Sequence, residues 1–472
     1  MATGIISYGT YIPYWRLQSD AVRNALGAGR HSTTRAVAGY DQDATTMAVE
    51  AARGALMRGP VESVGALTLS SSTPTYKSKT NATAVHAALS LADGVRAADA
   101  NGPERAGAGA LHAGFETASA HLVVLSDAGT GPSGSADEMG LGDAAAAFVL
   151  GQDASRPPIA ELIGRSSVSQ EFLDRWSAPG EPFAQSWEER FGQDIYTAIG
   201  EQSVQRALAD AGITASEVAA AAITGLSPRS VSAVAKSSGL SKALADDLTK
   251  QIGRTGSAHL GILLADLLDR AEPGDVLVVS LLADGADTFV FRVTDAIVSL
   301  RRRETVAEQI SAGNDGLSYA DFLTWKGLLS RQGPRRPEPA RSAAPPARRS
   351  VEWKFGFTGS RCDSCGTRHL PPQRVCLRCG TTDQMKAEKL ADVRGTIATY
   401  TVDHLAYSLA PPTIGVVIDF DGGGRFACEL TDASPDEVAV GNRVEMSFRK
   451  INESGGVANY FWKARPLEDE TA

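Results

Sequence analysis

Cys362, Cys365, Cys376 and Cys379 form two C-x2-C pairs with ten residues between them, in RCDSCGTRHLPPQRVCLRCG. A two-residue gap lets both thiols of a pair face one ion, and Gly366 and Gly380 follow each pair where the backbone must turn sharply. Four thiolates at about 2.3 Å complete a tetrahedron around Zn2+ and leave no open position, so such a site is structural and not catalytic. A ribbon this small depends on its metal to fold. The other chemistry open to two dithiols is redox exchange. The fifth cysteine, Cys428 in FACELTD, reads as a buried strand thiol. His369, between the knuckles, is expected to be exposed.

The 472 residues allow two or three domains with real cores. A net charge of -9 and a pI near 5.4 argue against general attraction to nucleic acid or anionic membrane. The opening MATGIISYGTYIPYW lacks a basic segment before an apolar core and reads as a first strand, not a signal peptide. No apolar run approaches the roughly 18 residues of a membrane span. A cysteine cluster of metal-binding type suits a reducing compartment, and the expected location is cytoplasmic.

Short apolar strands alternate with Ala-rich helices over residues 1–300, the pattern of an α/β domain with buried sheets. Ile5–Ile12, Ala66–Ser70 and His121–Leu125 read as strands. Ala44–Met57 reads as a helix, because Met47, Val49, Ala52 and Leu56 recur at helical spacing. GDAAAAFVLG (Gly142–Gly151) and DGADTFVFRV (Asp284–Val293) each place a small-residue turn before an apolar strand. HLVVLSD precedes the first and DVLVVSL the second. Two halves, about 1–155 and 156–300, suggest a duplicated unit; chance recurrence of Gly/Asp turns is the plainer alternative. A helix over Leu317–Leu329 closes this 1–330 domain.

RQGPRRPEPARSAAPPARRS (331–350) carries no apolar periodicity and reads as a solvated linker, with arginines more suited to spacing than to phosphate. Residues 351–385 make the zinc ribbon. From 386 to 468, five strand signals (Gly395–His404, Thr413–Phe420, Arg425–Leu430, Arg443–Lys450 and Asn459–Ala464) separated by turns suggest a small OB-fold barrel. A zinc ribbon with an OB-fold is also a nucleic-acid architecture. From residue 351, however, 14 basic side chains face 17 acidic ones, the wrong balance for phosphate.

The C-terminal segments CDSCGTRHLPPQRVCLRCG, GTIATYTVDHL, APPTIGVVIDFDGGG and NYFWKARP resemble the zinc-ribbon/OB-fold domains that accompany thiolase-like acyl-CoA enzymes. GIISYGTYIPYWRL, DQDATTMAVEAARGALMRG, SQEFLDRW, SWEERFGQDIY and LSYADFLTWKGLL resemble hydroxymethylglutaryl-CoA synthase and, more distantly, the initiating ketoacyl-ACP synthases. The resemblance implies a duplicated, five-layered thiolase-like domain and a CoA thioester as substrate or ligand. It also implies a homodimer, or a hetero-oligomer with another thiolase-like protein.

That family carries its acyl group on a cysteine at a helix N-terminus, where the dipole ionises the thiol. This chain has no cysteine before Cys362. By resemblance the nucleophile position falls on or near Glu104 and the acid/base position on about Ser72. The His position falls near Thr224 or Gly225, and the Asn position on Arg254. A Cys-dependent condensation is thereby excluded. Some thiolase-like proteins paired with such an accessory domain are retro-aldolases, so the resemblance implies retro-aldol or other non-covalent chemistry on a CoA thioester, as a lyase or acyltransferase of the superfamily, or else the role of an inactive scaffold or acyl-CoA-binding partner.

A retro-aldol reaction needs a base for the hydroxyl proton and a donor for the enolate oxygen. The candidates are Glu104, Tyr76 and His259. The plainer readings are a glutamate favoured by a helix dipole, a surface loop tyrosine and a structural histidine. His404, in the barrel, is an outlying candidate.

Overall fold

Strand β1 (Gly4–Tyr11) is buried along nearly its whole length, and helix α1 (Ala44–Met57) lies on it. Contact is close because Gly9 has no side chain: a Cβ there would stand 2.4 Å from the Ala51 carbonyl oxygen. The second half repeats the device. Strand β6 (Ala160–Ser169) carries Gly164, whose added Cβ would meet the Ala207 carbonyl oxygen of helix α3 (Glu189–Ala211) at 2.5 Å.

The computed structural model describes residues 3–27, 33–57, 64–117, 119–152, 157–300, 304–335, 341 and 343–467. The chain divides into two units, the first comprising Met1–Ala38, Asp43–Thr83 and Ala92–Phe322. Its further elements are β2 (Val64–Ser70), β3 (Arg96–Asp99), α2 (Arg105–Phe115), β4 (Ala120–Ala128) and β5 (Asp143–Gly151), then β7 (Ala220–Gly225), α4 (His259–Arg270), β8 (Val276–Leu282) and β9 (Gly285–Val293).

The strands run in the order β7-β8-β9-β6-β1-β5-β4-β2-β3. In the first half, β1 with β5 and β5 with β4 are antiparallel, and β4 with β2 is parallel. In the second, β6 with β9 and β9 with β8 are antiparallel, and β8 with β7 is parallel. The halves meet where Gly4 and Ile5 pair with Glu161 and Ala160. Both repeat segments found in the sequence occupy equivalent strands, β5 and β9.

Helices α2 and α4 touch strands of both halves, whereas α1 packs on strands of the first half and α3 on strands of the second. The result is five layers. Leu263 and Leu264 of α4 are buried in the middle one, in one core with Phe148 of β5 and Phe289 of β9. Burying a side chain of this size contributes about 1.5–3 kcal/mol, so this layer sets the positions of both helix N-termini.

The terminal helix of this region covers Tyr319–Trp325, shorter than the expected Leu317–Leu329, with Gly327 at φ +73° just beyond it. A left-handed glycine ends a helix in this way.

The second unit comprises Leu323–Ala472 with Gly39–Gln42 and Ala84–Leu91. Within the expected linker, residues 336–340 and 342 lie outside the described residues. Ala344–Arg349 within it is a short helix with proline in its first turn, where no amide hydrogen bond is lost. Strands β10 (Thr358–Cys362), β11 (Arg368–His369) and β12 (Met385–Lys389) form a sheet in the order β11-β10-β12.

Strands β13 (Gly395–Asp403), β14 (Thr413–Phe420), β15 (Arg425–Leu430), β16 (Arg443–Ser454) and β17 (Val457–Pro466) close a barrel in the order β13-β14-β15-β17-β16. Asp41 is buried in this unit between Lys463, 3.0 Å away, and Arg449, at 3.4 Å. Both cations hold the Asp41 carboxyl below its usual range against the burial that raises it.

Candidate functional site

Glu104 immediately precedes α2 but does not cap it with its side chain. Its Oε1 instead accepts a hydrogen bond from Nε of Arg254 at 3.1 Å, across 150 residues of sequence. Both side chains are mostly buried, at 13% exposure for Glu104 and 17% for Arg254. The positions that resemblance assigns to a nucleophile and to an asparagine therefore carry opposite charges that neutralise one another.

Arg254 is held by its backbone. Its N–H donates to Gly140 at 2.7 Å and its carbonyl accepts from Gly142 at 2.9 Å. A side chain at Gly142 would put a Cβ 1.9 Å from the Ile252 carbonyl oxygen, so only glycine permits this approach.

His259 opens α4 at 1% exposure. Its Nδ1 accepts from the Thr255 N–H at 3.3 Å, which leaves the proton of a neutral ring on Nε2. Nε2 has no hydrogen-bond partner among the described residues. Burial pushes the imidazole down to about 4, against the opposing pull of Glu104 and Asp247, while Arg254 lowers it further. At neutral pH the ring is an uncharged donor beside an ion pair.

Asp127, at the end of β4, accepts at Oδ1 from the N–H groups of Ser72, at 2.7 Å, and Thr73, at 3.0 Å, and from the Ser71 hydroxyl at 3.0 Å. Its Oδ2 accepts from Ser257 N–H at 2.6 Å. Burial raises this carboxyl, and the bonds from Ser257 and Ser72 oppose the rise. Asp127 thus ties the loop after β2, where Ser72 lies, to the segment that leads into His259.

Of the three candidates, the structure brings Glu104 and His259 into one electrostatic neighbourhood. Tyr76 lies in the loop after β2, half-buried, in a turn where its N–H donates to Asn81 Oδ1 at 3.0 Å and its carbonyl accepts from Asn81 at 2.9 Å. At the expected His position, Thr224 is buried, and a Cβ on Gly225 would stand 2.5 Å from the Leu282 carbonyl oxygen. His404, just beyond β13, is exposed.

The pairing of Arg254 with Glu104, and the roles of Asp127 and Asp247, are absent from the sequence reading. The Ser126-Asp127 step ending an apolar run was the one visible signal.

In the ribbon, one sulfur of each of the four cysteines lies within 4.8 Å of the others. Cys362 to Cys379 measures 3.7 Å and Cys365 to Cys376 measures 3.5 Å. A tetrahedron with 2.3 Å bonds has edges of about 3.8 Å, so the donor set fits Zn2+. Gly366 and Gly380 take φ +71° and +72° and donate to the carbonyls of Cys362 and Cys376, both at 2.9 Å.

His369 is 4% exposed, contrary to expectation, because its pairing with Ser360 of β10 turns the side chain into the ribbon. Cys428, in β15, is half-buried and its thiol is pushed up to about 12 by burial. It lines a cavity of about 510 Å³ with Trp353, Tyr460 and Trp462.

The layered first unit, with its polar cluster at the starts of two central helices, has a thiolase-like fold, and the second unit adds a zinc ribbon and an OB-fold. The family model "ChsH2, rubredoxin-like zinc ribbon domain" matches residues 356–383, and "ChsH2, C-terminal OB-fold domain" matches 387–449. The chain is 30% identical over 344 residues to a hydroxymethylglutaryl-CoA synthase of Archaeoglobus fulgidus, covering 68% of this chain and 97% of that protein.

It is 31% identical over 126 residues to a DUF35 domain-containing scaffold protein of Methanocaldococcus jannaschii, covering 26% of this chain and 89% of that one. Among solved structures, 3-oxoacyl-(acyl carrier protein) synthase III of Pseudomonas aeruginosa is similar with a TM-score of 0.55 at 21% identity, over 62% of this chain and 98% of that one. The chain belongs to the hydroxymethylglutaryl-CoA synthase family, extended by a C-terminal region of the DUF35 family.

No helix among the described residues is long and apolar enough to cross a membrane.

Proposed function

We propose that this chain binds an acyl-CoA and acts on it in carbon–carbon bond chemistry without an acyl-enzyme, as a retro-aldol lyase of β-hydroxyacyl-CoA. The observation that carries this reading is the Glu104–Arg254 pair in a region without cysteine. The Glu104 carboxylate accepts the β-hydroxyl proton, and the Cα–Cβ bond breaks. Its electron pair passes into the thioester as an enolate. The Arg254 guanidinium and the Nε2 proton of neutral His259 stabilise the enolate oxygen. A proton then returns to the α-carbon, giving a carbonyl compound and a shorter acyl-CoA.

Cys362, Cys365, Cys376 and Cys379 hold one structural Zn2+ in this reading, and the working form is a homodimer or a hetero-oligomer with a thiolase-like partner. The same ion pair favours a second reading, an inactive scaffold that binds acyl-CoA or a catalytic partner, because each charge already satisfies the other. Purified protein, alone and with a thiolase-like partner, separates the two on a panel of β-hydroxyacyl-CoA and β-ketoacyl-CoA. Release of aldehyde or ketone by the lone protein, lost in Glu104→Gln, supports the lyase; binding without turnover supports the scaffold.

A further inference from the structure

We propose that the cavity of about 510 Å³ in the second unit is a binding site for an aromatic acid, a flat ring system carrying one negative charge. The cavity opens where the pairing of the barrel gives out. Strands β15 and β17 pair only at Leu430 with Ala464, and residues that precede these two in their strands line the cavity. One wall is the helix Ala344–Arg349, through Pro346 and Ala347, with the segment that follows it. A site in the barrel does not depend on the lyase reading, which concerns the first unit.

Trp353, Phe426 and Phe461 line this space and are only half-buried, so the barrel core leaves part of each ring uncovered. Trp353 meets the other two edge-on, with ring centres 5.6 Å and 5.3 Å apart. Tyr460 and Trp462 line the same cavity. Rings attract further rings edge to face or offset, beyond what the buried area gives, and this favours a flat aromatic guest over an alkyl chain. The volume falls within the range of about 300–1,000 Å³ that small-molecule sites occupy.

Lys354 decides the charge of the guest. Lys463 and Glu429, also on the lining, pair with each other at 2.7 Å, and Lys463 meets Asp41 as well. Lys354 lines the cavity too, half-buried, and its ammonium has neither a hydrogen bond nor an ion pair among the described residues. It lies 5.8 Å from the centre of the Phe355 ring. Burial pulls this ammonium down, and no carboxylate raises it again. A cation without a counter-ion beside apolar rings rejects a cationic guest and selects one anionic group.

Titration calorimetry of the full chain with naphthoate, with its uncharged carboxamide and with decanoate tests the site. The native protein should bind naphthoate saturably, the carboxamide about 10-fold or more weaker, and decanoate more weakly than naphthoate. Lys354→Met keeps the apolar stem and should lower the affinity for naphthoate to that of the carboxamide, whose own binding stays unchanged. Ala347→Trp fills the cavity from its helical wall and should abolish binding of both at an unchanged melting temperature. Absence of saturable naphthoate binding by the native chain overturns the site, as does native affinity in either folded variant. Decanoate binding as tightly as naphthoate overturns the assignment of an aromatic guest.

Discussion

The two ends of the molecule concentrate opposite chemistries. The ribbon gathers four of the five cysteines within 4.8 Å, whereas the central layer of the first unit, where the family carries its acyl group on sulfur, contains none. In the ribbon the reactive groups come from two knuckles within 18 residues, and local turns set their geometry. In the first unit, Glu104 and Arg254 come from different halves and meet only because the duplicated fold brings two helix starts together. Chemistry that depends on spacing is local; chemistry that depends on convergence belongs to the fold.

The largest expected effect lies in the ribbon. Stripping the metal by chelation, or Cys376→Ser, should unfold this segment, with a loss on the order of 10 kcal/mol of metal-linked stability. Metal content should be one zinc per chain, read by elemental analysis, and near-ultraviolet circular dichroism should report the loss of packing.

This contrast also explains what could be read beforehand. The C-x2-C pairs and their glycines contain the whole geometry of the ribbon, and the paired segments Gly142–Gly151 and Asp284–Val293 revealed equivalent strands. His369 was misjudged because its burial depends on pairing with Ser360, and the helix at Ala344–Arg349 was hidden in a proline-rich stretch. The ion pair could not be found from spacing, since nothing near Glu104 announces Arg254. Asp41 likewise gives no local sign that Lys463 and Arg449 will enclose it.

That enclosure supplies the next test. Asp41→Ala takes one counter-ion from each of two buried cations, leaving Lys463 with Glu429 at 2.7 Å and Arg449 with Asp432, and should destabilise the second unit by about 3 kcal/mol in denaturant unfolding. A change below about 1 kcal/mol would remove the buried network from the account of this unit.

The first unit should respond to pH through His259. Its folded value, about 4, lies below the usual 6.5, so between these values the unfolded chain binds more protons. The stability held by the neutral ring is complete above pH 6.5 and is lost as pH falls through 4, by about 3 kcal/mol over the window. His259→Asn should flatten that slope in unfolding curves recorded across the range; an unchanged slope would place the sensitivity elsewhere.

Tyr76→Phe should have the smallest effect, within about 1 kcal/mol in stability, because it keeps the ring and the two main-chain bonds to Asn81. A 100-fold loss of turnover in this variant would return the loop after β2 to the catalytic set.

The central claim is that a family scaffold handles acyl-CoA here without ever taking up the acyl group. Incubating the protein with acyl-CoA labelled in its acyl chain, then denaturing it and measuring intact mass and retained label, tests this directly. The account predicts label bound before denaturation and an unmodified chain afterwards. An acyl adduct on any side chain between residues 1 and 330 would contradict it.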